Sequence, residues 1–315
     1  MATETSLENL LSKLTPERDT VLTIGVFDGV HLGHQFLIDT VKRRAAARRL
    51  LSGVITFECH PEEVLVPQCR LPWLSDTEER LEAIRGLGVD LVVALPFDRE
   101  VAELGARQFL GLLQKHLRMK GLVVGPDFAL GKGREGDVTA LRALGSEMGF
   151  TVEPVPPFIL DGGVVSSTAV RGAVARGDAR KFRRLVGRYF TISGEVTRGA
   201  ERGRKLGFPT ANLVLDPSRA MPADGVYATW AYCGGKRYAS VTNVGTRPTF
   251  GNGRRLAEVH VLDYDGDLYG RRLKVELVEK LREEKRFDSV QGLAEQMRRD
   301  VERARAVLEV EARAR

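Results

Sequence analysis

The stretch 24-IGVFDGVHLGHQFLI-38 places three glycines and two histidines between an apolar run and an amphipathic one. Its beginning has the undiluted apolar character of a strand that ends near Phe27, and its end has the spacing of a helix beginning near Gly33 or His34. The glycines between turn the chain and let a ligand approach the backbone. Two of the chain's five histidines, His31 and His34, stand in that turn, three residues apart. Backbone N–H groups at a helix start, joined by imidazoles, suit a phosphate. A strand, a glycine turn and a helix in that order are the seed of an α/β fold.

The same alternation continues outward. VLTIGVF, LSGVITF, VDLVVAL and KGLVVGP read as strands buried on both faces, separated by helical patterns over 34–50, 75–87 and 105–118. This predicts a parallel sheet covered by helices. From about Tyr189 the rhythm changes to short alternating strands: FTISGEVTRG, TANLVL, GVYATWAY, KRYASVTNV, AEVHVLDY and RLKVELVEKL. Gly234-Gly235 and Asp265-Gly266 read as hairpin signals. An antiparallel barrel or sandwich is expected, followed by a helix over 288–310 that Asp288 or Ser289 would cap. With a boundary near 184–190, the domains are 1–186 and 187–315.

Composition agrees with two domain-sized halves. The chain has 315 residues, 43% of them hydrophobic, and no apolar run long enough to cross a bilayer. The N-terminus lacks the pattern of a secretory signal. Three scattered cysteines, with no CxxC, point to a reducing compartment and no structural zinc, so a cytoplasmic location is expected. The net charge of +6 fits a phosphate-bearing partner. The basic runs 42-KRRAAARR-49 and 176-RGDARKFRR-184 read as solvated helix faces and lack interleaved aromatics, so neither nucleic acid nor membrane is expected as a partner. Oligomeric state is not set by anything in the sequence.

GVHLGH is neither a Walker A loop nor a GxGxxG fingerprint. GVFDGVHLGH resembles the HxGH signature of nucleotidyltransferases, which join an ATP-derived AMP to a phosphate. That family's second signature, SSTxIR, is matched by 166-SSTAVR-171. Taken alone, SSTAVR is a helix cap followed by an arginine. In the resemblance, His31, His34 and Arg171 become catalytic, while Gly25, Phe27, Gly33, Ser166, Ser167 and Thr168 become ATP contacts. Hydroxyls and a bidentate guanidinium suit phosphate oxygens. The flavin branch of the family is matched further by 56-TFECHPEEVL-65, with Cys59 in place of the usual proline. It is also matched by 124-VGPDFALGKGREGD-137, with Leu130 in place of a phenylalanine. That match implies flavin contacts at Asp127 and Phe128.

The second half carries 198-RGAERGRKLGFPTANL-213, which resembles the riboflavin kinase signature. The resemblance implies ATP contacts at Gly203, Lys205, Gly207 and Pro209, and Mg²⁺ held through Thr210 and Asn212, both hard oxygen ligands. The segments 240-SVTNVGTRPTF-250 and 257-AEVHVLDYDGDLYG-270 match the same module. Glu258 then corresponds to the catalytic base, and His260, two residues on, is read as structural.

Taken together, the chain resembles the bifunctional riboflavin kinase/FMN adenylyltransferase family from about residue 21 to 308. The resemblance implies a Rossmann-like nucleotidyltransferase domain followed by a riboflavin kinase barrel with a terminal helix. Riboflavin, ATP, FMN and FAD would be the small-molecule partners, with Mg²⁺ accompanying ATP. The two steps pose different problems. A ribityl hydroxyl needs a base before it can attack. The phosphate of FMN, with a second pKa near ~6, is already anionic and needs only a cationic cradle. Three alternatives stand beside this reading: a kinase with a degenerate first domain, a cytidylyltransferase with an appended barrel, and a non-catalytic RNA- or flavin-binding protein. GFPTAN opposes the second.

Overall fold

The computed structural model describes residues 6–66, 68–198, 203, 207–246 and 255–313. Lys205, most of the glycine-rich segment before GFPTAN, and 247-RPTF-250 lie outside the described residues. The chain forms two compact units, Met1–Ser167 and Thr168–Arg315.

The first unit opens with α1 (Ser6–Ser12), β1 (Thr20–Ile24), α2 (Leu32–Ala47), β2 (Leu51–Phe57), α3 (Pro61–Leu65), α4 (Thr77–Arg85) and β3 (Leu91–Leu95). It continues with α5 (Arg99–Ala102), α6 (Ala106–Leu117), β4 (Met119–Val124), the two-residue strands β5 (Ala129–Leu130) and β6 (Gly136–Asp137), α7 (Val138–Met148) and β7 (Thr151–Pro154). A last small pair, β8 (Ile159–Leu160) and β9 (Gly163–Val164), precedes α8 (Ser167–Ala175).

The four expected strands are present, and every neighbour in the sheet order β3-β2-β1-β4-β7 is parallel. β7 was not read from the sequence, because TVEP has too little apolar character to announce a strand. The sheet grows from β1 in both directions, so β1 and β4 diverge into helices on opposite sides. A crevice opens beyond their carboxyl ends, the usual ligand position in such sheets. One main core, including Leu22, Ile55, Leu95, Leu110 and Leu113, fills the space between β-sheet and helices. α1 is fastened to it by Leu7 and Leu11 and by Glu8, whose carboxylate accepts from Lys115 Nζ at 2.6 Å and meets His116 Nε2 at 3.2 Å.

The second unit contains the rest of α8, then α9 (Ala179–Val186), β10 (Phe190–Thr197), β11 (Ala211–Val214), β12 (Gly225–Cys233), β13 (Lys236–Thr246), β14 (Arg255–Val261), β15 (Arg272–Arg282) and α10 (Val290–Arg313). The strands close a barrel in the order β10-β11-β14-β13-β12-β15, with antiparallel neighbours throughout. Gly234 and Gly235 adopt φ of +55° and +77°, as a tight β12–β13 hairpin demands.

The second hairpin signal is corrected. β14 and β15 are not neighbours: β14 pairs with β11 and β13, and β15 with β10 and β12. Asp265-Gly266 therefore sits in a crossing loop, whose length leaves no two-residue turn. α10 covers one outer face of the barrel, where Ala304 and Leu308 meet Ala228, Trp230 and Val278. Of its two cap candidates, Ser289 takes the role: its hydroxyl accepts the Gly292 N–H at 3.1 Å.

Candidate functional site

In the first unit a cavity of about 370 Å³ opens at the carboxyl ends of β1, β4 and β7. Gly25, Phe27, His31, Gly33 and His34 line it from the turn after β1, Asp127 and Phe128 from the loop after β4, and Ser166 and Ser167 from the start of α8. Two signatures separated by well over a hundred residues thus share one cavity. Thr168 and Arg171 are carried on α8 one and four residues beyond Ser167, and neither lines this cavity. Cys59 and Leu130 are also absent from its lining. The Cys59 thiol donates to Phe97 O at 3.2 Å, and Leu130 packs against the main core.

The turn is held in an unusual conformation. Phe27 has φ +53° and the β-branched Val30 has φ +40°, a region that costs such residues about 1–3 kcal/mol. The packing around them makes this tenable: both side chains are buried with Ile38, Val54 and Ile84. The Val30 N–H donates to Phe27 O at 3.0 Å, and Gln35 Nε2 donates to Val30 O at 2.9 Å.

Helix α2 begins at Leu32, slightly before the expected start, because His31 caps it: Nδ1 accepts the His34 N–H at 3.3 Å. With Nδ1 accepting, the neutral ring carries its proton on Nε2. The rings of His31 and His34 stack at 3.6 Å with an 18° tilt. Gly33 is required by close approach, since a Cβ there would lie 2.9 Å from Val165 O. The absence of a side chain there lets the backbone just before Ser166 lie close against the histidine turn.

Asp28 was not singled out from the sequence, although it lies inside the motif. It is 2% exposed. Its carboxylate accepts the backbone N–H groups of Leu74 and Ser75 at 3.0–3.1 Å, while Ser75 Oγ accepts the Gly29 N–H at 3.1 Å. Asp28 O accepts the Ser167 hydroxyl at 3.4 Å. One buried residue therefore ties the turn, the segment before α4 and the first residue of α8. Arg80 lies nearby, fully buried, with its guanidinium 4.7 Å over the Trp73 ring and donating to Phe57 O at 2.6 Å. Burial lowers its pKa, and the charge of Asp28 works against that shift.

The second unit holds a cavity of about 540 Å³ between the outer barrel face and α10. Asn212, Glu258 and Asn243 form a row across β11, β14 and β13 in direct register, so their side chains share one face. Val226, opposite Asn243, belongs to the cluster under α10, which places the row on that side of the sheet. Thr210, His260 and Gly203 also line the cavity, with apolar walls from Val241, Phe287, Leu293 and Met297. Arg282 grips Asp300 of α10 through Nε and Nη2 at 2.8–3.0 Å, fixing the far wall.

A second cavity of about 510 Å³ lies on the other side of the turn, lined by Val196, Arg198, Pro209, Ala211, Val259 and Tyr269. Thr210 borders both. Gly203 is glycine by necessity, because a Cβ would lie 2.3 Å from Phe208 O. Gly207 is exposed, with φ +83°, and lines neither cavity.

Among the described residues no group of three or more His, Cys, Asp or Glu could hold a metal ion. A cation at the barrel would be a hard one, met by few oxygens. Asn212 suits that role: it is 6% exposed, and its Oδ1 is buried without a hydrogen bond among the described residues.

Residues 13–169 match the family model described as FAD synthetase, and residues 186–308 match the one described as riboflavin kinase. The bifunctional riboflavin kinase/FMN adenylyltransferase of Escherichia coli K12 is 43% identical over 287 residues, covering 90% of this chain and 91% of the relative. The protein of that name from Pseudomonas fluorescens is 42% identical, covering 94% and 96%. A solved structure described as a macrolide-efflux protein from Streptococcus pneumoniae is 31% identical, with a TM-score of 0.87 over 94% of this chain and 96% of that one. In the present chain no helix among the described residues is long and apolar enough to cross a membrane. An adenylyltransferase-type sheet with paired histidines, followed by a kinase-type barrel with a glutamate in register with GFPTAN, agrees in order and extent with these relatives: the chain belongs to the bifunctional riboflavin kinase/FMN adenylyltransferase family.

Proposed function

We propose that the two reactions of the family are divided between two functional domains, 1–186 and 187–315, with FMN made at the barrel and adenylylated at the histidine turn. The observation that carries the barrel assignment is the register of Asn212 with Glu258, beside Thr210, in one cavity. The Glu258 carboxylate accepts the proton of the ribityl 5′-hydroxyl as that oxygen attacks the γ-phosphorus of ATP. The flat apolar wall of Phe287, Leu293 and Met297 suits an isoalloxazine ring. The cavity across Thr210 suits the nucleotide, within reach of Pro209.

Thr210 and Asn212 would hold Mg²⁺, which supplies charge neutralisation on the transferred phosphoryl group when bound. The buried acceptor on Asn212 fits such an ion.

At the first unit no base is needed. Here the FMN phosphate attacks the α-phosphorus of ATP and pyrophosphate leaves. His31, through Nε2–H, and His34 donate to phosphate oxygens, and the Ser166 hydroxyl does the same, while Ser167 lines the cavity beside it. Thr168 and Arg171 follow Ser167 on α8 outside that lining, and their part in ATP binding rests on the SSTAVR resemblance alone. Gly25, Phe27 and Gly33 shape the ATP side, and Asp127 and Phe128 the flavin side. Riboflavin, ATP, FMN and FAD are then the partners, nucleic acid and membrane are not, and the compartment is the cytoplasm.

Incubation with riboflavin, ATP and Mg²⁺, followed by chromatography over time, tests this reading. FMN should rise first and FAD follow. FMN without FAD, and no pyrophosphate from ATP plus FMN, would leave a kinase with an inactive first domain.

A further inference from the structure

We infer that His260 is a positioning residue for riboflavin phosphorylation, a strut that fixes the Pro209–Thr210 peptide in the wall between the two barrel cavities. The inference rests on the placement of the kinase site proposed above.

His260 follows Glu258 by two residues on β14 and shares its face and its cavity. Its Nδ1 lies 2.8 Å from Pro209 O. A carbonyl oxygen only accepts, so Nδ1 carries the hydrogen, and the bond persists whether or not Nε2 is protonated. The ring also meets Phe208 edge to face, with centroids 5.5 Å apart. His260 thus holds two consecutive residues of GFPTAN.

The peptide needs such a hold. The β11 ladder to β14 begins at Ala211, so Pro209 lies outside it. Proline has no N–H through which the chain could be pinned. Pro209 lines the nucleotide-side cavity, His260 lines the Glu258 cavity, and Thr210 borders both. The His260–Pro209 bond therefore crosses the partition at the one residue that must serve both substrates. Releasing it lets Thr210 drift without removing any group that touches substrate. A misplacement of about 1 Å can cost as much as 10²-fold in rate.

The alternative is that His260 contacts the flavin directly through Nε2. The two amide isosteres separate these roles, because Asn places its NH₂ where Nδ1 stood and Gln places it nearer Nε2. His260→Ala should lower kcat for FMN formation by roughly 10- to 100-fold, with FAD formation from supplied FMN unchanged. His260→Asn should restore most of that loss, and His260→Gln should not. Rescue by Gln and not Asn would overturn the inference, as would an Asn variant no better than Ala, or an Ala variant with wild-type kcat. Thermal unfolding of all three variants identifies one that has lost its fold, and the Asn–Gln comparison stands without the Ala variant. Thr210→Ala serves as the companion. If it leaves FMN formation intact, the kinase site itself is misplaced. If it abolishes FMN formation while His260→Ala does not alter it, only the strut is refuted.

Discussion

Asn212 on β11 and Glu258 on β14 are directly opposed partners, and Asn243 on β13 meets Glu258 from the other side. A carboxylate is thereby set between two amides on one sheet face. Asn243 gives its NH₂ to Glu284 Oε1 at 3.1 Å, and both amide oxygens are buried without a hydrogen bond among the described residues. The row concentrates acceptors on one face, which the proposed kinase site would use to take a proton from an alcohol and to meet a cation.

Glu258→Gln keeps the shape of the row and removes the proposed base. FMN formation should fall by roughly 10²–10⁴-fold, while FAD formation from supplied FMN and ATP continues. Loss of both activities in the chromatographic assay would contradict the division between the units.

Replacing Asn212 with Leu preserves volume and deletes the orphaned oxygen. The magnesium concentration giving half-maximal FMN formation should rise, and a titration with the ion reads it. The magnesium dependence of FAD formation should stay as it was.

His31 caps α2, and substitutions can separate that duty from the proposed one toward phosphate. Asn is a good helix cap but cannot reproduce Nε2–H. His31→Asn should keep the melting temperature of the first unit near wild type and lower adenylyl transfer by roughly 10²–10³-fold. His31→Ala should lose activity and, in addition, about 0.5–2 kcal/mol of stability.

Asp28→Asn replaces part of a buried acceptor with a donor facing the Leu74 and Ser75 N–H groups. A cost of about 1–3 kcal/mol is expected, read by chemical denaturation of the first unit. FAD formation should decline with it, because the carboxylate that fixes the turn, and with it the Asp28 carbonyl that Ser167 meets, is weakened in its hold on Leu74 and Ser75, and FMN formation should not.

Asp90 provides a dependence on acidity. The Ser52 hydroxyl and N–H, at 2.6 and 2.8 Å, hold its carboxyl below the ordinary value of 3.8. A depressed folded value means that the unfolded chain takes up the proton first. The stabilisation is complete above about pH 4 and fades as pH falls through the lowered value. Asp90→Asn should flatten acid unfolding of the first unit below pH 4, as followed by circular dichroism.

Much of the architecture was legible because burial leaves strong periodic marks. β1 to β4 read directly from their unbroken apolar runs, and the barrel strands from their alternation. β7 escaped because Thr151–Pro154 is only half covered. The crossing loop at Asp265-Gly266 looked like a hairpin because turn chemistry reports a local bend and not which strands pair. Sequence motifs gathered the histidines, serines, Thr210, Asn212 and Glu258 into the two cavities. Asp28 passed unnoticed because its partners are backbone N–H groups near residue 74, which no side-chain pattern announces. His260 was read as structural, yet its bond to Pro209 depends on a register that only the folded barrel displays.

Each cavity belongs wholly to one compact body, and that has an asymmetric consequence for the cell. A lesion confined to the barrel starves the chain of both products when vitamin is the only feedstock. A lesion confined to the histidine turn leaves mononucleotide accumulating while its dinucleotide runs out. Two classes of defect in one polypeptide would therefore differ in which flavin, supplied from outside, relieves them.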